Sequence, residues 1–178
     1  MTAQPYSVLF ICTGNSARSI MAEVLLNSLG NGRFRAFSAG SRPTGQINQR
    51  VVKLLRSMGH DVDHLASKSW EVFERATAPQ MDFIFTVCDN AAGEVCPVWP
   101  GHPITTHWPF PDPAGLTGSE AAIAVQLADV YRMIARRIDG FVGLPVDSLD
   151  RLSLRRALQD LGAKGEDKRQ TGSGRGSI

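Results

Sequence analysis

Residues Val8–Ser19 read VLFICTGNSARS: four apolar residues and a cysteine, then small polar residues that end at Arg18 and Ser19. The run from Tyr6 to Cys12 has strand length and almost no polar interruption, the pattern of a strand covered on both faces of a parallel sheet. After the loop the period changes. Ile20, Met21, Val24 and Leu25 recur at helical spacing, and Gly30 with Gly32 supplies the stop. The stretch is therefore read as a buried strand, a tight loop and a helix, with a thiol at the point where strand becomes loop.

Working outward, Arg33–Ala39 alternates as a second strand and Asn48–Met58 places Val51, Leu54, Leu55 and Met58 on one helical face. Ser69 caps a short helix over Trp70–Ala76, and Met81–Cys88 is a second buried-strand run that also ends at a cysteine. A long loop rich in proline, glycine and aspartate follows, with a short strand around Ile104–Thr106. Gly118–Ile138 and Ser148–Leu161 read as amphipathic helices; the second could serve as core or as a dimer face. Strands alternating with helices predict an α/β fold with a parallel sheet, helices on both faces and ligands at the carboxyl ends of the strands. If the first and third strands are neighbours, Cys12 and Cys88 share one crevice.

The 178 residues, 43% of them apolar, suit one domain, here taken as 1–162, with a tail at 163–178 read as disordered for want of apolar residues. A net charge of +2 argues against nucleic acid or a membrane surface as partner. No apolar run approaches the roughly 18 residues of a membrane span, and no basic region precedes the first apolar stretch, so a cytoplasmic location is expected. The three cysteines, Cys12, Cys88 and Cys96, cannot close a complete set of disulfides. The four histidines have no ligand-like spacing, so no metal is expected.

A loop of this length between strand and helix turns its N–H groups toward one centre, where the helix dipole adds positive potential. Thr13, Gly14, Asn15, Ser16, Ala17, Arg18 and Ser19 form the expected oxyanion cradle: small residues allow close approach, Asn15 tolerates a left-handed turn, and Arg18 closes a bidentate fork. In that setting the pKa of Cys12 is expected to fall below the ordinary thiol value of about 8.5, making it a nucleophile. The alternative is a buried structural cysteine. Asp112, followed by Pro113, is first a turn signal, and a general acid second. Cys88 and Cys96 read either as a buried and a spare thiol or as a redox relay. Trp70, Trp99 and Trp108 are read as loop anchors and core, Trp108 with the option of walling the crevice.

Three strings together carry a resemblance. CTGNSARS, VCDNAAGEVC and HWPFPDPAG resemble the phosphate loop, redox segment and aspartate loop of the arsenate reductase branch of the low-molecular-weight protein tyrosine phosphatase superfamily. The resemblance runs from Tyr6 to Arg137. It implies a three-layer sandwich with a four-stranded parallel sheet flanked by helices. It also implies Cys12 as nucleophile, Arg18 as oxyanion clamp, Asp112 as general acid, and a relay through Cys88 and Cys96. Arsenate would be the substrate, with phosphate or sulfate competing. No cofactor would be bound, and electrons would come from thioredoxin or from glutathione and glutaredoxin. Some relatives hold a potassium ion through residues matching Asn15, Glu23 and Ser38; here Lys68 stands in place of an acidic ligand, and its ammonium would substitute for the ion. The alternatives are a phosphatase acting on tyrosine phosphate or small phosphoesters, and a binding module that keeps the cradle without turnover.

Overall fold

The computed structural model describes residues 3–89 and 97–164; Cys96 and the tail from 165 to 178, predicted to be a relay thiol and a disordered segment, lie outside the described residues. In chain order the elements are β1 (Tyr6–Cys12), α1 (Arg18–Leu29), β2 (Phe34–Gly40), α2 (Gln49–Ser57), β3 (Phe83–Thr86), β4 (Ile104–His107), α3 (Glu120–Val142) and α4 (Arg151–Ala163). Single-turn 3-10 helices lie at Trp70–Phe73 and Pro113–Gly115.

The strands form one parallel sheet in the order β2-β1-β3-β4. β1 is central, which is why its apolar run does not alternate: Val8 to Ile11 are wholly buried. Because β1 and β3 are neighbours, the chain leaves both strands at the same edge of the sheet, with Cys12 and Cys88 there. One face carries Phe10, Phe83 and Phe85: Phe10 stacks on Phe85, and Phe83 and Phe85 pack edge-on with Phe141 of α3. On the other, Phe37 meets Phe73 of the first 3-10 helix at 5.5 Å between ring centroids. The three layers predicted from the pattern are present.

Several boundaries differ from expectation for identifiable reasons. β3 is shorter than Met81–Cys88 because β4 offers only four partners. A single further bond, from Val87 N–H to the Ile11 carbonyl, continues the β1 ladder before the chain turns away. α3 runs past Ile138 through Gly140, whose missing side chain leaves room for Leu161 of α4; a Cβ there would sit 2.8 Å from Leu161 Cδ2. α4 starts three residues late because Asp150, not Ser148, supplies the cap, while Ser148 closes a turn onto the Pro145 carbonyl. The α4 stripe is core rather than a dimer face: Leu154 and Leu158 are buried. Trp108, wholly buried, donates from Nε1 to the Leu158 carbonyl at 3.0 Å. It therefore walls no crevice.

Candidate active site

Every described helix except one begins with a side-chain cap. Asn48, Ser69, Asp112, Ser119 and Asp150 each accept a backbone N–H from the first turn of the helix they precede. α1 follows Ala17, has no side-chain cap and no acidic residue in its first turn. Its orphan donors and positive dipole end are left to whatever enters the loop before it.

The loop itself is held from outside by its carbonyls. Ser41 N–H donates to the Cys12 carbonyl, Arg42 to Thr13, Thr44 to Gly14 and Asn48 to Ser16, at 2.9 to 3.3 Å, and Ser67 Oγ adds a second bond to Gly14. With the carbonyls drawn outward, the N–H groups of Gly14, Asn15, Ser16 and Ala17 have no acceptor among the described residues. Asn15 makes the turn at φ +45°. Gly40, the last residue of β2, is required by close approach: a Cβ there would lie 2.5 Å from the Thr13 carbonyl oxygen. The support given by residues 41–48 and by Ser67 escaped the sequence reading, although loops after strands neighbouring a site are where such support is expected.

Below the loop lies a buried polar cluster. Asn15, wholly buried, donates to Ser19 and Ser38 and accepts the Lys68 N–H at 2.9 Å; Ser38 donates to Glu23 Oε2 at 2.6 Å. Burial pushes the Glu23 carboxyl up, against the Ser38 bond and the Lys68 charge; burial likewise pulls the Lys68 ammonium down, against Glu23. The Lys68 Nζ donates to the Ala66 carbonyl at 2.8 Å. With the Asn15 oxygen taken and an ammonium supplying the positive charge, the residues present do not fit an added potassium ion.

Arg18 reaches over the loop, but not as a free fork. Nη1 donates to the Phe110 carbonyl at 3.1 Å and Nη2 stands 3.5 Å from Asp112 Oδ1, while Nε is buried with no partner among the described residues. A buried guanidinium donor left open at the loop mouth is a group waiting for an acceptor. The same Asp112 oxygen accepts the Ala114 N–H at 2.9 Å. The turn that Asp112 caps thus leaves the same carboxylate beside Arg18.

The thiols depart from expectation. Cys12 and Cys88 are both buried, and their side chains are hydrogen-bonded to each other. Thr13 N–H points at Cys88 Sγ from 3.3 Å, and Thr13 Oγ1 lies 3.5 Å from the same sulfur. The pKa of Cys12 is not lowered here but raised. The hydrogen bond to Cys88 is the largest cause and burial the next, outweighing Arg18 and the Thr13 N–H. Two buried sulfurs in contact resist both becoming anionic, so the pair keeps at least one proton and titrates as a unit. The sequence reading placed both thiols in one crevice but weighed the Cys12 pKa without Cys88.

The low molecular weight phosphotyrosine protein phosphatase family matches residues 7–154. An arsenate reductase of Staphylococcus epidermidis is 34% identical over 117 residues, 66% of this chain and 85% of that protein. Among solved structures, the arsenate reductase of Archaeoglobus fulgidus is 28% identical at a TM-score of 0.61, covering 77% of this chain and 99% of the other. A thioredoxin-dependent arsenate reductase of Corynebacterium glutamicum shares the fold at 23% identity and a TM-score of 0.52, over 78% of this chain and 64% of the other. The fold, the uncapped cradle and this match over most of the sequence agree: the chain belongs to the low molecular weight phosphotyrosine protein phosphatase family.

Proposed function

We propose that the protein is an arsenate reductase in which a tetrahedral oxyanion binds the cradle of residues 13–19 and is reduced by a pair of thiols. The carrying observation is the contact between Cys12 and Cys88 beside that cradle. A hydrolase of this fold needs one nucleophile; a second buried thiol against it serves electron transfer.

The steps balance as follows. The Cys12 proton passes along the sulfur–sulfur hydrogen bond to Cys88, leaving the Cys12 thiolate facing the open N–H groups. Cys12 Sγ then bonds to arsenic while the bond from arsenic to a hydroxyl oxygen breaks, and that hydroxyl leaves as water with a proton supplied by Asp112. The cradle and Arg18 hold the remaining oxygens. Cys88 Sγ next bonds to Cys12 Sγ. The sulfur–arsenic bond breaks, its electron pair stays on arsenic, and arsenite departs with the Cys88 proton. Arsenic gains two electrons and the two thiols become a disulfide. Cys96 attacks Cys88 to regenerate Cys12, and a dithiol protein of the thioredoxin class reduces the Cys88–Cys96 disulfide that remains, in a reducing compartment such as the cytoplasm. The glutathione and glutaredoxin couple is the competing donor.

Phosphoester hydrolysis is the second reading, favoured by one observation: Asp112 stands against Arg18, where it can protonate a leaving oxygen. The test is NADPH oxidation driven by arsenate, with thioredoxin and its reductase in one cuvette and glutathione with glutaredoxin in another, for the wild type and Cys88→Ser. Turnover abolished by the substitution is expected, and the working cuvette names the donor. No arsenate turnover, with aryl phosphate hydrolysis that survives the substitution, would overturn the reductase in favour of the phosphatase.

A further inference from the structure

His107 ends β4, one strand beyond the strand that leads to Cys88, and no step above uses it. Its two ring nitrogens face opposite sides of that cysteine. Nδ1 lies 2.9 Å from Thr86 Oγ1 and 3.0 Å from the Thr86 carbonyl oxygen, and Nε2 lies 3.2 Å from Asp89 Oδ1. Thr86 is two residues before Cys88 and Asp89 one residue after it. The ladder of β3 has ended by then: the last regular pair is Thr86 with His107, and only the Val87 N–H continues it. Cys88 is thus the point where the chain leaves the sheet, with a ring spanning its two flanks.

The donor inventory fixes how the ring is used. A carboxylate oxygen cannot donate, so Nε2 carries a proton and donates to Asp89. On the other side the ring has two ways to bond. As imidazolium, Nδ1 donates to the Thr86 carbonyl, whose other acceptor site takes the Trp108 N–H at 2.8 Å; as neutral imidazole, Nδ1 accepts the Thr86 hydroxyl. Both protonation states keep both attachments.

We propose that His107 is a positioning residue for the second thiol: by holding Thr86 and Asp89 it sets the backbone of Cys88, so that Sγ meets Cys12 and the Thr13 donors. The inference rests on the reductase reading for its use, but the geometry it describes is that of disulfide closure itself. An error of about 1 Å in the placement of a reacting group can cost a hundredfold in rate. The Asp89 attachment is the weaker of the two, because the carboxylate side chain is 88% exposed.

The experiment uses the reduced full-length protein. Arsenite released in a single turnover is timed for the wild type, His107→Ala, His107→Gln and Asp89→Ala. In parallel, inorganic phosphate is titrated against iodoacetate labelling of Cys12, which reads the cradle alone. Expected for His107→Ala is arsenite release slowed about tenfold or more, with phosphate protection unchanged. His107→Gln, which keeps a donor for Asp89, should recover part of the rate, and Asp89→Ala should lose about threefold. Wild-type rates in His107→Ala would overturn the proposal, as would equal losses of release and phosphate protection, since those mark a general structural role. Should His107→Ala not fold, Asp89→Ala decides: its side chain is exposed, and an unchanged rate there would sink the idea. Closure of the Cys12–Cys88 disulfide by diamide, followed by mass spectrometry without arsenate, repeats the comparison. If the wild type releases no arsenite, the reductase reading fails, while the diamide rates still decide the role of His107.

Discussion

The two thiols of the crevice are held by different means. Cys12 sits at the base of a loop whose carbonyls are bound mainly by backbone donors of residues 41–48, so its position is a property of chain path. Cys88 stands just past the end of a strand, and individual contacts hold it: the N–H and hydroxyl of Thr13 against the sulfur, and the His107 side chain across its two flanks. The difference fits two tasks. A nucleophile that opens every cycle gains from a site already built, since preorganised donors cost nothing to reorient at the moment of reaction. In the proposed relay, a thiol that pairs first with Cys12 and then with Cys96 has to be released, and a few contacts at a strand end can be broken where a backbone ladder cannot.

The comparison breaks most severely at Cys12. Cys12→Ser should reduce arsenite release by at least about a thousandfold, because a hydroxyl at this site has neither the thiolate's nucleophilicity nor a route to a disulfide. Colorimetric arsenite assay checks it, together with phosphate binding by calorimetry, which should persist. Loss of phosphate binding would mean that the cradle depends on the thiol it is supposed to hold ready.

Gly40→Ala attacks the chain path instead. The added Cβ would meet the Thr13 carbonyl oxygen at 2.5 Å and the Asn15 backbone N at 3.1 Å, with no flexible group to yield. A destabilisation of about 2 kcal/mol is expected from overpacking of this kind, read as a lowered midpoint in urea, along with weakened phosphate binding. A variant as stable as wild type would show that the loop can shift, and that Cys12 is less rigidly placed than Cys88. Thr13→Val removes the hydroxyl near Cys88 but keeps the N–H. It should slow the arsenate-driven disulfide step about fivefold more than aryl phosphate hydrolysis, which does not need Cys88. Equal effects on the two reactions would mean that the hydroxyl serves the cradle rather than the second thiol.

The same contrast explains what was legible in sequence. The β1–loop–α1 unit could be read because its signals are local: an apolar run, small residues and a change of period. Asn15 was readable as a turn residue and takes φ +45°. The features that were missed are pairings across distance. Ser41, Arg42, Thr44 and Asn48 act through backbone atoms, which no residue type betrays. The contact of Cys88 with Thr13 joins residues 75 apart in the chain, and the contact of Cys88 with Cys12 reversed the expected direction of the Cys12 titration. The helix read as Gly118–Ile138 runs on through Gly140 because the approach of Leu161 favours a glycine there, a pairing the local pattern does not carry.

The smallest effect tests what lies beneath the chain-held thiol. Glu23 is 8% exposed, accepts the Ser38 hydroxyl, and is linked through it to Asn15 in the loop. Burial raises its pKa more than Ser38 and Lys68 lower it. The folded protein then holds the Glu23 proton more tightly than the unfolded chain does. Stability falls as pH rises from the ordinary carboxylate value through the raised one, and the loss is complete above it. Glu23→Gln keeps an acceptor for Ser38 and removes the ionisation. Its melting temperature should match the wild type near pH 4.5 and exceed it by about 2–4 °C at pH 8, measured by calorimetry at constant ionic strength. If the variant instead loses ground as pH rises, attraction between the ionised carboxylate and Lys68 outweighs burial. The loop of Cys12 would then rest on an ion pair rather than on a protonated carboxyl, and the side-chain support assigned to Cys88 would extend to both thiols.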